Sequence, residues 1–332
     1  MARLKRATAD DLTLRRRRRG RAFSYEDTDG TPVRDKSVTG RIRALGIPPA
    51  WGDVKIAANE RLHIQAMGTD AAGRAQYIYH PEWEKRRASR KQQQLTLLAT
   101  ALPRIRRRVR EELEAGPGSR QLALALGVAL IDRTAMRVGR ERYLDAHGTR
   151  GAGTLYTRDV TISGGEIRIN FPAKSGKKAS YLVKDPALAA AIRAVKSIPG
   201  KRLLMYRDDA GEARAIRTED LNRYLKEVAG VAVTAKDFRT LHASALAGEA
   251  LSRLEPGDSP TARKRQMAAV VKQVATFLQN TPAICRSSYI SPCLFSLFEK
   301  GKLAPMWVEG GSGHNGLKQR EVRLSAVLEA AG

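Results

Sequence analysis

The chain has 332 residues, 42% of them hydrophobic, which is enough for two domains with their own cores. Lys and Arg number 60 against 34 Asp and Glu, so the formal net charge is +26. A surplus of this size indicates a polyanionic partner, either nucleic acid or an anionic membrane surface. The sequence has no apolar run of about 18 residues and no signal peptide pattern, so we expect a cytoplasmic protein without a membrane span.

The sequence also argues against metal and nucleotide chemistry. Its two cysteines, Cys285 and Cys293, match no zinc-site spacing and are too few for a disulfide scaffold. The P-loop and HExxH motifs are absent. We therefore expect no metal and no cofactor.

Residues 1–21 contain five consecutive arginines, Arg15 to Arg19, and are predicted to form a flexible basic arm that touches backbone phosphates. Residues 22–90 are predicted to form a β-rich domain, because short alternating segments are separated by turn signals.

One strand of this domain has the composition of a DNA-binding surface. Alternation over residues 75–80 places Tyr77 and Tyr79 on the same face, next to Arg74 and Gln76. These side chains offer hydroxyls and an amide to phosphates or base edges. A tyrosine pair on an ordinary half-buried strand fits the spacing equally well.

Residues 91–332 are predicted to form a larger, mainly helical domain. Ser119 is a plausible N-cap for a long helix that runs to His147 and stops at Gly148. Arg137 lies in the apolar part of this helix. A partly buried arginine there would need an anionic partner.

A small antiparallel sheet is predicted over residues 154–183, with a Gly164-Gly165 turn between its first two strands. Lys174 lies at the tip of the second hairpin. Lysines at such tips are usually only solvated, but a hairpin tip also fits a DNA groove.

The remaining sequence is predicted to be helical. Asn280-Thr281-Pro282 marks the end of one helix and the N-cap of the next, which carries Tyr289 about two turns further on. The spacing alone favours a tyrosine packed in a helical core.

The order of these residues changes that interpretation. Arg137, Lys174, Lys236-x-x-Arg239, Asn280 and Tyr289 follow one another in a pattern that resembles the type IB DNA topoisomerases, in particular the small bacterial and poxvirus-like branch. The resemblance covers roughly residues 22–300, including the Arg74–Tyr79 strand. It departs at Asn280, where many members have histidine; asparagine donates a hydrogen bond but cannot titrate.

This resemblance implies an α+β fold whose β-rich and helical domains close around duplex DNA as a monomeric C-shaped clamp. It also implies that Tyr289 is the nucleophile that attaches to a 3′ phosphate. Arg137, Arg239 and Asn280 would stabilise the transition state and Lys174 would be the general acid. Tyr143 and Lys236 join Arg74, Gln76, Tyr77 and Tyr79 as expected DNA contacts. Supercoiled DNA would then relax by strand rotation and religation, without ATP or metal.

Two other functions fit part of the sequence. A tyrosine recombinase uses a similar catalytic set but typically has H-x-x-R, whereas Lys236 precedes Arg239 here. A non-catalytic architectural protein would explain the charge but not the ordered set of Arg, Lys, Asn and Tyr residues.

Overall fold

The N-terminal unit contains one sheet of five antiparallel strands. In the computed structural model, which describes residues 4–173, 176–311 and 318–331, residues 1–90 and 91–332 form two separate units. The five strands are β1 (Leu14–Arg19), β2 (Ala22–Glu26), β3 (Gly52–Ile56), β4 (Ile64–Thr69) and β5 (Ala75–Tyr79). Their order in the sheet is β2-β1-β3-β4-β5. Helix α1 (Lys36–Ala44) packs Ile42 against one face of this sheet, where Leu14, Val54, Ile56 and Ala66 form the core.

The prediction of a flexible arginine arm was wrong. Arg15 to Arg19 belong to β1 and pair with β2, from Arg15 opposite Glu26 to Arg19 opposite Ala22. Arg16 fixes the strand further, because its guanidinium donates to the carbonyl oxygens of Pro48 (3.1 Å) and Trp51 (2.6 Å) and lies 4.2 Å from the centre of the Phe23 ring. Ladder hydrogen bonds and this anchor outweigh the repulsion between neighbouring arginines.

The C-terminal unit is mainly helical and is built around a large apolar core. Its helices and the helix that leads into it are α2 (Pro81–Leu113), α3 (Arg120–Thr134), α4 (Glu141–His147), α5 (Pro186–Lys196), α6 (Thr218–Ala229), α7 (Ala235–Ser252), α8 (Pro260–Leu278), α9 (Pro282–Ile284), α10 (Pro292–Glu299), α11 (Leu303–Glu309) and α12 (Gln319–Ala330). Within the described residues, no helix is both long and apolar enough to cross a membrane. The predicted α+β fold class is confirmed.

The predicted long helix from Ser119 to His147 was wrong in its second half. Ser119 does cap α3, but the helix ends at Thr134 because Ala135 adopts a left-handed conformation with φ 52°. Arg137 therefore lies in a loop before α4, not inside a helix.

The predicted three-stranded sheet is present and has the order β6-β7-β8. Its strands are β6 (Val160–Ser163), β7 (Glu166–Pro172) and β8 (Lys178–Lys184). Gly164 and Gly165 both have positive φ, as a tight hairpin turn requires. A second, two-stranded ribbon, β9 (Met205–Arg207) and β10 (Ala213–Ala215), was not predicted because three-residue strands leave no clear alternation.

Candidate active site

A cleft of about 640 Å³ in the C-terminal unit collects most of the residues that the sequence marked as catalytic. It is lined by the predicted residues Arg137, Tyr143, Lys236, Arg239 and Tyr289. These come from the loop after α3, from α4, from the first turns of α7 and from the segment after α9. Residues that are 152 positions apart in sequence, Arg137 and Tyr289, thus face one cavity.

The loop that carries Arg137 is held by its backbone. The carbonyl oxygen of Arg137 accepts a hydrogen bond from the Ala152 amide at 2.9 Å, and that of Val138 accepts one from the Gly153 amide at 2.7 Å. These hydrogen bonds fix the backbone position of Arg137 although it lies in a loop and not in a helix.

Gly139 is required by this arrangement. Its φ is 80°, and a Cβ atom there would lie 2.3 Å from the Thr154 hydroxyl oxygen and 3.0 Å from the Gly151 nitrogen. The carbonyl of Gly139 also accepts a hydrogen bond from the Thr218 hydroxyl at 2.7 Å. The glycine of the Arg-Val-Gly sequence is therefore explained by close backbone packing.

Arg239 links three parts of the site. Its side chain is buried on α7, and its guanidinium donates to the backbone oxygens of Ala135 and Leu278, the latter at 3.1 Å. These carbonyls lie two residues before Arg137 and Asn280, respectively. The Nε atom of Arg239 has no hydrogen-bond partner among the described residues. Arg239 therefore binds the backbone close to Arg137 and close to Asn280, and its buried Nε–H is still available as a donor.

Tyr289 ends a single turn of π-helix, Cys285–Tyr289, that follows α9. The centre of its ring lies 5.0 Å from the Arg239 guanidinium carbon. Ser244 on α7 is fully buried; its hydroxyl donates to the carbonyl of Tyr289 at 3.1 Å and accepts from the Ser291 amide at 3.0 Å. Single π-turns of this kind often occur at functional sites.

The electrostatics of the cleft favour an anion. Burial, and then the nearby charge of Arg239, lowers the pKa of Arg137. The other groups that act on Arg137 are Tyr289, Tyr181 and Cys285, and none of them is a carboxylate. The predicted anionic partner of Arg137 is thus not a protein side chain among the described residues, so the guanidinium of Arg137 and the unpartnered Nε of Arg239 are available to a phosphate.

Asn280 follows Leu278, whose carbonyl binds Arg239, by two residues and is half-buried. Its backbone N–H donates to the carbonyl of Ala275 at 2.9 Å, and its side-chain Oδ1 accepts from the backbone N–H of Thr281 at 3.0 Å. Thr281 caps α9 and Pro282 is its first residue, which confirms the predicted junction. Asn280 itself does not line the cleft, so its catalytic role stays a prediction.

Lys174, the predicted general acid, lies outside the described residues. Ala173 and Gly176 on either side of the undescribed pair both line the cleft. The role of Lys174 likewise stays a prediction.

The predicted DNA contacts fall into two groups. In the C-terminal unit Tyr143 is 46% exposed, with the Arg142 guanidinium 4.7 Å from its ring centre, and Lys236 lies in the first turn of α7. Both line the cleft.

In the N-terminal unit the Tyr77 and Tyr79 rings stack with centres 6.0 Å apart. Arg74 and Gln76 instead bind Asp70, each at 2.8 Å, and hydrogen bonds from Arg74 hold the pKa of Asp70 well below its usual range. Their DNA contacts stay predictions.

A buried ionic cluster in the C-terminal unit was missed by sequence reasoning. Arg106 donates to Asp132 (2.8 and 2.9 Å) and to Glu321 (2.7 and 2.9 Å), and His242 Nε2 lies 3.1 Å from Asp132. Asp132 is five residues before Arg137 and His242 is three after Arg239. One sequence feature could have indicated this cluster. Asp132 is a charged residue at the end of the apolar run of α3, and burial there requires an oppositely charged partner from another helix.

Comparisons with known proteins identify the family of this chain. A family model described as eukaryotic DNA topoisomerase I, catalytic core, matches residues 81–291, and one described as bacterial DNA topoisomerase IB, N-terminal domain, matches residues 22–70. Because the first match covers more than half of the chain, the protein belongs to the type IB DNA topoisomerase family. It is an isomerase that acts on DNA and relaxes it.

Similar proteins include DNA topoisomerase 1B of Acanthamoeba polyphaga mimivirus, 29% identical over 86% of this chain and 87% of the viral protein. DNA topoisomerase 1B of vaccinia virus is 22% identical over 70% of this chain and 71% of its own. Among solved structures, the XerH site-specific recombinase in its post-cleavage complex matches with a TM-score of 0.37 and 15% identity. That match covers 60% of this chain and half of the recombinase chain.

Proposed function

We propose that this enzyme relaxes supercoiled DNA by cutting one strand, letting it rotate, and resealing it through a covalent link to Tyr289. The observation that carries the proposal is the position of the Tyr289 ring, whose centre lies 5.0 Å from the guanidinium carbon of Arg239, an arginine whose Nε is buried with no hydrogen-bond partner in the described part of the chain. A phosphate bound to Arg239 and Arg137 would lie beside the tyrosine hydroxyl.

In each chemical step, one bond to phosphorus forms while another breaks. The Tyr289 phenolate attacks phosphorus, a bond to the tyrosine oxygen forms, and the bond from phosphorus to the 5′ oxygen breaks. Lys174 gives its proton to that leaving oxygen, so a 5′ hydroxyl is released. Religation is the reverse reaction, with the 5′ hydroxyl as nucleophile. Because one phosphoester replaces another, the cycle needs no ATP.

Arg137 and Arg239 stabilise the negative charge on the non-bridging oxygens in the transition state, and Asn280 adds a neutral donor. Removal of one such donor typically lowers the rate by about 10²- to 10³-fold. We further propose that the enzyme works as a monomer that encloses duplex DNA, within the cytoplasm. A net charge of +26 supports a grip on DNA that does not depend on sequence.

The test uses supercoiled plasmid in EDTA without ATP, followed by denaturing gels that reveal protein bound covalently to DNA. Tyr289→Phe is expected to bind DNA but to give neither relaxation nor adduct. Tyr181→Phe is the matched control, because Tyr181 is also half-buried and interacts with Arg137 and Arg239. It should retain the adduct. An adduct in Tyr289→Phe would show that another residue is the nucleophile.

A further inference from the structure

The outer face of the N-terminal sheet joins the arginine run to the tyrosine strand. Arg15 on β1 lies opposite Lys55 on β3, Lys55 lies opposite Met67 on β4, and Met67 lies opposite Tyr77 on β5. Residues directly opposite one another in a sheet project from the same face. This row therefore crosses four strands on the face away from α1.

The arginines of β1 divide between the two faces. Arg15, Arg17 and Arg19 project outward with Lys55, while Arg16 and Arg18 project from the opposite face. Arg16 is committed to backbone carbonyls in the interior. The outward arginines are exposed. Because side chains alternate between the two faces of a strand, the run of five arginines places three of them on one exposed face.

Most of this charge is not neutralised by the protein. Arg17 pairs with Glu26 at 2.6 Å, although its side chain stays 58% exposed. Arg15, Arg19 and Lys55 form no ion pair with any residue that the structure describes. We call Arg15, Arg19 and Lys55, together with Tyr77, the arginine face.

The dimensions of the arginine face match a DNA groove. Three strand spacings separate β1 from β5, which is about 14 Å. The major groove of B-DNA is about 12 Å wide. If Tyr77 contacts base edges or sugars inside the groove, the side chain of Arg15 reaches the phosphate backbone that borders it.

We propose that the arginine face is a second DNA-binding surface, on which β1 contacts backbone phosphates of the same duplex that β5 touches. The inference rests on the proposed function only in taking duplex DNA as the substrate. The contacts are electrostatic and independent of sequence, so they add affinity and salt dependence without taking part in cleavage.

The test compares arginines of β1 that project from opposite faces of the sheet. The slope of log K against log salt is measured for a short duplex with wild type, Arg15→Gln/Arg19→Gln and Arg18→Gln. Each lost phosphate contact reduces the slope by about 0.9, so the double variant should lose about 1.8. Arg18→Gln, an exposed neighbour on the other face, should leave the slope unchanged.

The measurements distinguish a failure of the arginine face from a failure of the proposed function. Adduct formation at saturating DNA should be the same in all three proteins, and thermal melting should show that all are folded. Equal slopes in folded proteins that still cleave DNA would overturn the arginine face alone. Equal DNA slopes combined with weaker binding of the double variant to phosphatidylserine vesicles would instead assign this surface to an anionic membrane.

Discussion

Replacing Asp132 with Asn tests how much the buried ionic cluster stabilises the C-terminal unit. Asp132 is 4% exposed and accepts hydrogen bonds from Arg106 and His242. Asparagine has nearly the same shape, but its NH₂ group would face donors, and the charge that holds Arg106 would be lost. Breaking a buried ion pair typically costs about 3–5 kcal/mol.

We expect the variant to lose about 3 kcal/mol in its free energy of unfolding, measured with urea. For a unit of 150–250 residues this corresponds to a decrease of roughly 6–12 °C in melting temperature. Glu249→Gln is the matched control. Glu249 lies on α7, as His242 does, and pairs with Arg253, which is 74% exposed. Such surface pairs contribute about 0–1 kcal/mol.

The pH dependence gives a second measurement of the same cluster. Burial alone would raise the pKa of Asp132, but hydrogen bonds from His242 and Arg106 outweigh it and the pKa is lowered; Glu321 is lowered in the same way by Arg106. A lowered carboxylate pKa stabilises the fold above the unfolded value of about 4, and that stabilisation is lost as the pH falls through the folded value. Asp132→Asn should therefore flatten the loss of stability below about pH 4. A variant that differs from wild type by less than 1 kcal/mol and melts with the same acid profile would refute this reasoning.

Three further predictions concern the cleft. Gly139→Ala should lower the melting temperature and reduce single-turnover cleavage, because the new methyl group would meet Thr154 at a backbone angle that favours glycine; unchanged cleavage would show that the loop tolerates displacement. Ser244→Ala removes both hydrogen bonds to the backbone around Tyr289, so we expect a loss of about 1–2 kcal/mol and slower cleavage, with plasmid binding unchanged in a filter assay; equal cleavage rates would limit Ser244 to packing. Asn280→His should retain plasmid relaxation, because the imidazole keeps a hydrogen-bond donor; a loss of religation, seen as persistent nicked adduct, would show that the amide has its own geometric role.

The sequence predictions were correct where the residues that determine a conformation lie within the predicted segment itself. The helix junction at Thr281-Pro282 and the Gly164-Gly165 hairpin follow from the capping residue and the turn residues themselves, and both are present. The β-rich first part and the mainly helical second part follow from the spacing of apolar residues, and both are present in the structure.

The errors arose where a distant contact decided the local conformation. The arginine strand is stabilised by β2 and by the carbonyls that bind Arg16, and neither is visible in a run of like charges. The break after Thr134 depends on Ala135 adopting a left-handed conformation that few alanines adopt. Its carbonyl then accepts from Arg239, more than a hundred residues later.

The site was predictable as a set of residue types but not as an arrangement. The order of Arg137, Arg239 and Tyr289 identified the residues that meet in the cleft. The supports behind them, Ser244 and the Asp132 cluster, are ordinary polar residues in helices. Only their burial and partners in the structure reveal what they do.

The last helix has a practical consequence for anyone who shortens or tags this enzyme. Glu321 in α12 is fully buried and supplies one of the two carboxylates that hold Arg106. A chain truncated before residue 318 would keep every residue of the cleft and yet leave this cluster with half of its negative charge. A shortened enzyme should therefore retain α12, and a tag should be attached without disturbing that helix.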